Sequence, residues 1–201
     1  MTDFRQTGSI LPSQRFLVVA LFEAAQADRA EVIVEFGAGT GAMTAALLEK
    51  MPPKAKLYAI EIDGSMIVEI RRRIQDCRLI LIHGSAAEAE DLLRQHGHRG
   101  EASVILSSLA MSLIPAGTRE KILQSAARLL GPKGRFVQFG YIHTRYVTWR
   151  PECMFGGFDY ESFLRSHFER VERRLVLSNL PPAWVYFAEG ALKAGQERGG
   201  P

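Results

Sequence analysis

At 201 residues, 47% of them hydrophobic and 23% charged, the chain has the size and balance of one soluble globular domain with a substantial buried core. Its cysteines, Cys77 and Cys153, form no CxxC pair, which excludes a disulfide framework or a zinc motif and points to a reducing cytoplasm. A net charge of +3 leans mildly toward anionic partners without the dense basic stripe of a nucleic-acid binder; the run from Arg71 to Arg78 reads as a solvated helix end.

Met1 to Ser9 holds no apolar signal-peptide core, and the apolar run Phe16 to Phe22 is far shorter than the roughly 20 residues a bilayer span needs. Ser13, after Pro12, predicts a capped helix to about Gln26 with Phe16, Val19, Ala20 and Glu23 along one side. Val32 to Phe36 is a strand, Ala42 to Lys50 a helix stopped by Pro52-Pro53, and Lys56 to Ile62 a second strand. A helix over Met66 to Ile74, a strand over 78–84 and a short helix over 87–95 follow. The fourth strand covers 102–109, Thr118 caps the next helix, and Gly131 with Pro132 ends it before a fifth strand over 134–141.

Continuous apolar strands alternating with helices imply a parallel sheet covered on both faces, an α/β doubly wound fold. The tail departs from that rhythm. After a helix near Tyr160 to His167, strands over 171–180 and 183–190 flank Pro181-Pro182, and so short a link requires an antiparallel hairpin. The expected organisation is an N-terminal helical segment over 1–28, one domain over 29–195 and a frayed tail over 196–201.

The stretch Val32 to Gly41, VIVEFGAGTG, places Gly37, Gly39 and Gly41 between a strand and a helix. A dinucleotide fingerprint also fits Gly37, Gly39 and Ala42, with Glu61 19 residues further on. Three features favour a different ligand. Glu35 precedes the first glycine by two residues, where a carboxylate repels a pyrophosphate but suits an ammonium or sulfonium. Glu61 ends the second strand, where it can accept both hydroxyls of a ribose. The closing hairpin is an unusual ending for a dehydrogenase half-domain.

Glu35-Phe36-Gly37-Ala38-Gly39-Thr40-Gly41 resembles motif I of the class I S-adenosylmethionine-dependent methyltransferases, and Glu61 matches their acidic ribose ligand. The resemblance implies a Rossmann-like seven-stranded sheet, mostly parallel, with a C-terminal antiparallel hairpin and helices on both faces. It also implies S-adenosyl-L-methionine as cofactor, held by Glu35, Gly37, Ala38, Gly39, Gly41, Glu61, Ile62, Gly84, Ser85, Ala86 and Ser107. One departure lies after the third strand. His83-Gly84-Ser85-Ala86 stands where the family often has an acidic adenine ligand, leaving Ser85 or the backbone for that contact.

The segment after the fourth strand, Ser107-Ser108-Leu109-Ala110-Met111-Ser112, lacks the proline-aromatic tetrapeptide of base-amine methyltransferases, which argues against a nucleic-acid substrate. The stretches at 7–21, 104–115, 136–141 and 178–187, the last containing Asn179-Leu180-Pro181-Pro182-Ala183, together resemble the bacterial phospholipid N-methyltransferases. That family methylates phosphatidylethanolamine toward phosphatidylcholine. Gly140-Tyr141-Ile142-His143 departs from the proline-rich run expected there.

The segment 141–150 is compatible with such a substrate, mixing Tyr141, Tyr146 and Trp149 with His143, Arg145 and Arg150. The candidate substrate contacts are Tyr141, Arg145, Tyr146 and Trp149 together with Arg15 and Asn179. Aromatic faces attract methylated ammonium groups and arginine holds a phosphodiester bidentately. Tyr141 is the candidate for orienting the amine, His143 for accepting its proton, and Ser107 for orienting it instead. No metal is required, and His96 and His98 are expected in a solvated loop. The anticipated partner is an anionic membrane surface carrying the phospholipid, met by a peripheral cytoplasmic protein whose first helix lies on the lipid or lids the cofactor. Alternative acceptors are RNA adenine or a small soluble amine; a non-catalytic cofactor- or lipid-binding module is the alternative of another class.

Overall fold

The computed structural model describes residues 12–141, 158–177 and 182–192, with backbone alone at 12–16 and 141. Strands β1 (Val32–Phe36), β2 (Lys56–Glu61), β3 (Leu79–His83), β4 (Ala102–Ser107), β5 (Leu130–Tyr141), β6 (Phe168–Val176) and β7 (Ala183–Ala191) form one sheet in the order β3-β2-β1-β4-β5-β7-β6. The first five strands are parallel, and β7 runs antiparallel to both β5 and β6. This is the doubly wound sheet with a closing hairpin that the alternation implies. The helices are α1 (Pro12–Ala25), α2 (Ala42–Lys50), α3 (Gly64–Arg73), α4 (Ala89–Gln95), α5 (Ala116–Leu129) and α6 (Tyr160–Arg165).

Both faces of the sheet are buried, which is why β1 shows no polar alternation. On one face Val34, Phe36, Ile105 and Phe136 pack with Leu123 and Ala126 of α5 and Leu164 of α6. On the other, Ile33, Leu106 and Val137 pack with Leu17 and Leu21 of α1 and Leu47 of α2. The first helix is therefore part of the core. Arg135 of β5 fixes its end, donating to the Ala24 carbonyl at 2.6 Å while pairing with Glu189.

Several boundaries move for local reasons. Helix α1 starts at Pro12, whose missing N–H costs nothing in a first turn, so Ser13 lies inside the helix and does not cap it. Helix α3 starts at Gly64 because Asp63 caps it, accepting from Ser65 N at 2.8 Å. Helix α5 follows Pro115, and Thr118 sits exposed in its first turn. Strand β4 stops at Ser107, two residues short of the expected end. Strand β5 takes up one bridge at Leu130, opposite Ala102, before the register shifts and Val104 meets Arg135. The hairpin pairs Val176 with Ala183, and β6 begins earlier than expected, at Phe168; residues 178–181 lie outside the described residues.

The cationic run divides. Arg71 to Arg73 end α3, with Arg73 paired to Glu69 at 3.0 Å. Arg78 lies beyond the helix and is partly buried rather than solvated, pairing with Asp76 and donating to the Leu48 carbonyl in the last turn of α2. His96 is exposed, as expected of it, but His98 is not solvated. Its ring packs 5.2 Å from that of Tyr58, with Nε2 buried. No described helix is long and apolar enough to cross a membrane.

Candidate functional site

The carboxyl ends of β1, β2 and β4 converge on the glycine loop. Gly37, Gly39 and Gly41 all have positive φ, at 81°, 52° and 78°, a region that costs a side-chain-bearing residue about 1 kcal/mol or more. The loop hangs on β2, with Gly37 N and Ala38 N donating to the Ile60 carbonyl at 2.9 and 3.2 Å. Space divides the three glycines. A Cβ on Gly37 would lie 2.7 Å from Leu109, and one on Gly41 3.0 Å from Ile70, whereas one on Gly39 would meet nothing within 4 Å. Gly37 and Gly41 are pressed by the protein itself; Gly39 faces open space.

Glu61, at the end of β2, draws the loop inward. One carboxylate oxygen accepts from Gly39 N at 2.7 Å and the other from Ile62 N and Asp63 N at 2.8 and 2.9 Å. A carboxylate offers about four acceptor positions, so this latch leaves capacity for a further donor. Beside it, the Ile62 side chain is 70% exposed, an aliphatic surface suited to the face of a flat ring.

Glu35 is fully buried on the α2 side of β1. Its Oε2 accepts from the Thr44 hydroxyl at 2.7 Å, and its Oε1 has no partner. Burial pushes the carboxyl up to about 7, the Thr44 hydrogen bond opposes this, and repulsion from Glu61 adds to it. A buried carboxyl with an orphaned oxygen behind a glycine loop fits a cationic ligand in front of that loop.

After β3, Gly84 is needed for packing, since a Cβ there would lie 2.6 Å from Leu92. Ser85 caps the short turn that follows, its hydroxyl accepting from Ala87 N at 3.3 Å, and Ala86 is buried. That hydroxyl keeps its own proton for donation, which suits an adenine nitrogen better than an adenine amine.

After β4, Ser107 is buried and its hydroxyl accepts from Leu109 N at 3.4 Å. Ser108 touches the loop instead, its hydroxyl donating to the carbonyls of Phe36, at 3.2 Å, and Gly37. Sequence reasoning missed Ser108 because a continuous apolar run does not mark the residue at which a strand ends. It also missed Thr44 and Gln138, whose polar character inside apolar elements was the available signal.

A cavity of about 260 Å³ opens between the loop and α1, lined by Leu17, Val18, Leu21, Met43, Ser108 and Phe139 together with the glycine loop. Helix α1 thus walls the cavity, while Val19 on its outer side is 38% exposed. Tyr141 closes β5, backbone-paired with Ala183. Arg15 lies on α1, with its side chain outside the described residues, as are His143, Arg145, Tyr146, Trp149 and Asn179 entirely. Among the described residues, no group of three or more His, Cys, Asp or Glu could hold a metal ion.

A methyltransferase domain model matches residues 33–134. The chain is 26% identical over 183 residues to an ornithine lipid N-methyltransferase of Singulisphaera acidiphila, across 90% of this chain and 88% of that one. It is 39% identical over 70 residues, 35% of this chain and 26% of that one, to ribosomal RNA small subunit methyltransferase A of Thiobacillus denitrificans. The N-methyltransferase NodS of Bradyrhizobium japonicum WM9, solved with S-adenosyl-L-homocysteine, shares the fold. It has a TM-score of 0.68 at 14% identity, over 94% of this chain and 93% of that chain.

Proposed function

This chain belongs to the methyltransferase domain family and uses S-adenosylmethionine, and from that premise we propose that it methylates the primary amine of a membrane lipid, phosphatidylethanolamine first among them. The observation that carries the lipid reading is the likeness to an ornithine lipid N-methyltransferase across 90% of the chain. That relative favours ornithine lipid as a second acceptor, another amine presented at a bilayer surface.

S-adenosylmethionine, when bound, supplies a methyl on a positively charged sulfur. In this reading Gly39 gives the cofactor close approach to the backbone, Glu61 accepts from its ribose and Ile62 lies under its adenine. Glu35 contributes negative charge behind the loop. Gly37, Ala38, Gly41, Gly84 and Ala86 shape the cradle, and Ser85 donates to the adenine.

An amine attacks only when neutral, and a lipid ethanolamine resembles lysine, with an ordinary pKa of about 10. Desolvation in the apolar cavity under α1 favours the free base. Tyr141 at the end of β5 orients the amine, His143 takes its proton, and Ser107 supports the segment beside it. Arg15, Arg145, Tyr146, Trp149 and Asn179 receive the headgroup. Holding the reactants in line supplies most of the acceleration. The protein docks on an anionic membrane face as a peripheral partner.

The test is mass spectrometry of lipids after incubation with S-adenosylmethionine and anionic liposomes containing phosphatidylethanolamine, ornithine lipid, or neither amine. Successive methylene gains on phosphatidylethanolamine support the proposal, and gains on ornithine lipid alone reassign the acceptor. An unchanged lipid pool beside a methylated RNA or polyamine sample would end the lipid reading.

Glu61→Ala tests the cofactor cradle separately. Three of the roughly four acceptor positions of its carboxylate already accept from backbone amides. A hydrogen bond to a charged group contributes about 1.5–3 kcal/mol, so losing the one left for the ribose weakens S-adenosylmethionine binding by about ten- to a hundredfold. Calorimetric titration with a circular dichroism control checks it; affinity within a factor of three of wild type would remove Glu61 from the cradle.

A further inference from the structure

We propose that Gln138 is a positioning residue for methyl transfer, its side-chain amide holding the segment after β4 against the glycine loop. The inference rests on transfer taking place at this loop and does not depend on which amine is the acceptor.

Gln138 lies on β5 directly opposite Ser107, the last residue of β4, and is buried. Its Nε2 donates to the Leu109 carbonyl at 3.0 Å and the Phe139 carbonyl at 2.7 Å. Two carbonyls dictate the amide's orientation, because the flipped amide would set oxygen against oxygen. The consequence is that Oε1 is buried without a partner. Such an orphan costs about 1–3 kcal/mol, and methionine would fill the same volume without it. Packing alone therefore does not account for glutamine here.

The held carbonyl belongs to the residue that governs the loop. Leu109 presses on Gly37, and the adjoining Ser108 hydroxyl donates to the Gly37 carbonyl. A second donor holds the same segment further on, where Arg119 of α5 reaches the Met111 carbonyl at 3.1 Å. Within the segment, Met111 N donates to the Leu109 carbonyl and Leu113 N to that of Ala110, both at 2.8 Å. Releasing the Leu109 carbonyl thus loosens a short turn bordering both the cofactor loop and the cavity under α1.

Gln138→Met in the full chain separates positioning from scaffolding. The expected result is a melting temperature equal to or above wild type and S-adenosylmethionine affinity within about threefold. Amide exchange should quicken at Met111 and Leu113 while the β4 and β5 amides keep their protection. Methylation of phosphatidylethanolamine vesicles should fall in kcat by about a hundredfold, the scale of a 1 Å misplacement. A lower melting temperature with faster exchange throughout the sheet would make Gln138 an ordinary structural residue. Unchanged exchange at Met111 and Leu113 would also overturn the assignment. If wild type leaves the vesicles unmethylated, the lipid reading fails, and exchange and melting still decide the role of Gln138.

Discussion

Glu35→Gln is expected to stabilise the ligand-free protein at pH 8 and weaken its hold on S-adenosylmethionine. The carboxyl stands at about 7 in the folded chain against an ordinary 4.5, so the fold prefers the neutral acid. The resulting destabilisation is absent below pH 4.5, grows between 4.5 and 7, and is complete above 7. At about 1.4 kcal/mol per pH unit, the interval from 4.5 to about 7 amounts to about 3 kcal/mol. Glutamine keeps an oxygen for the Thr44 hydroxyl and removes the charge, so most of that free energy returns at pH 8 and little at pH 4.5.

The same charge is what a sulfonium and an ammonium favour. In wild type, binding a cation draws Glu35 into its ionised form and releases a proton. S-adenosylmethionine affinity should therefore rise with pH up to about 7 and level off above it; in Glu35→Gln that rise disappears. Chemical denaturation at pH 5 and 8, with titrations across the same range, reads both effects. A wild-type affinity flat from pH 5.5 to 8 would place Glu35 out of electrostatic reach of the cofactor.

The glycines separate by what their missing side chains would meet. Gly39→Ala should fold, losing about 1 kcal/mol to its left-handed backbone, yet bind cofactor at least a hundredfold more weakly because its methyl enters open space before the loop. Gly37→Ala carries the same backbone cost plus a contact of 2.7 Å with Leu109, so melting temperature and binding fall together. Thermal melts beside cofactor titrations test the pair, and normal binding by Gly39→Ala would show that the ligand does not approach the loop there.

Much of the architecture was legible in the sequence. Strand β1 and helix α2 begin and end at the residues expected, because a glycine loop separates them and Pro52-Pro53 stops the helix. The antiparallel pairing of the last strands follows from the short link between them. What the pattern did not hold was neighbourhood. Alternation says that β7 pairs with β6, yet nothing in it says that β7 also lies against β5. Ser107 and Ser108 are indistinguishable in an apolar run, and the two-residue difference in where β4 ends decides which hydroxyl meets Gly37. Gln138 sits in a strand that reads as core, and its partners come from a turn after another strand. Such contacts depend on register across the sheet, which periodicity within one segment does not encode.

The sheet order also governs the sequence of events during synthesis. Strand β7 is the last in chain order but an interior strand, wedged between β5 and β6. When β6 leaves the ribosome, β7, its sheet neighbour among the described strands, does not yet exist, and β5 still presents an open edge. Nascent chains stalled before Ala183 therefore expose two strand edges at once, the condition that invites pairing with other chains. Completion of this fold waits on its final strand, and a chaperone or a fast translation tail protects it most in that interval.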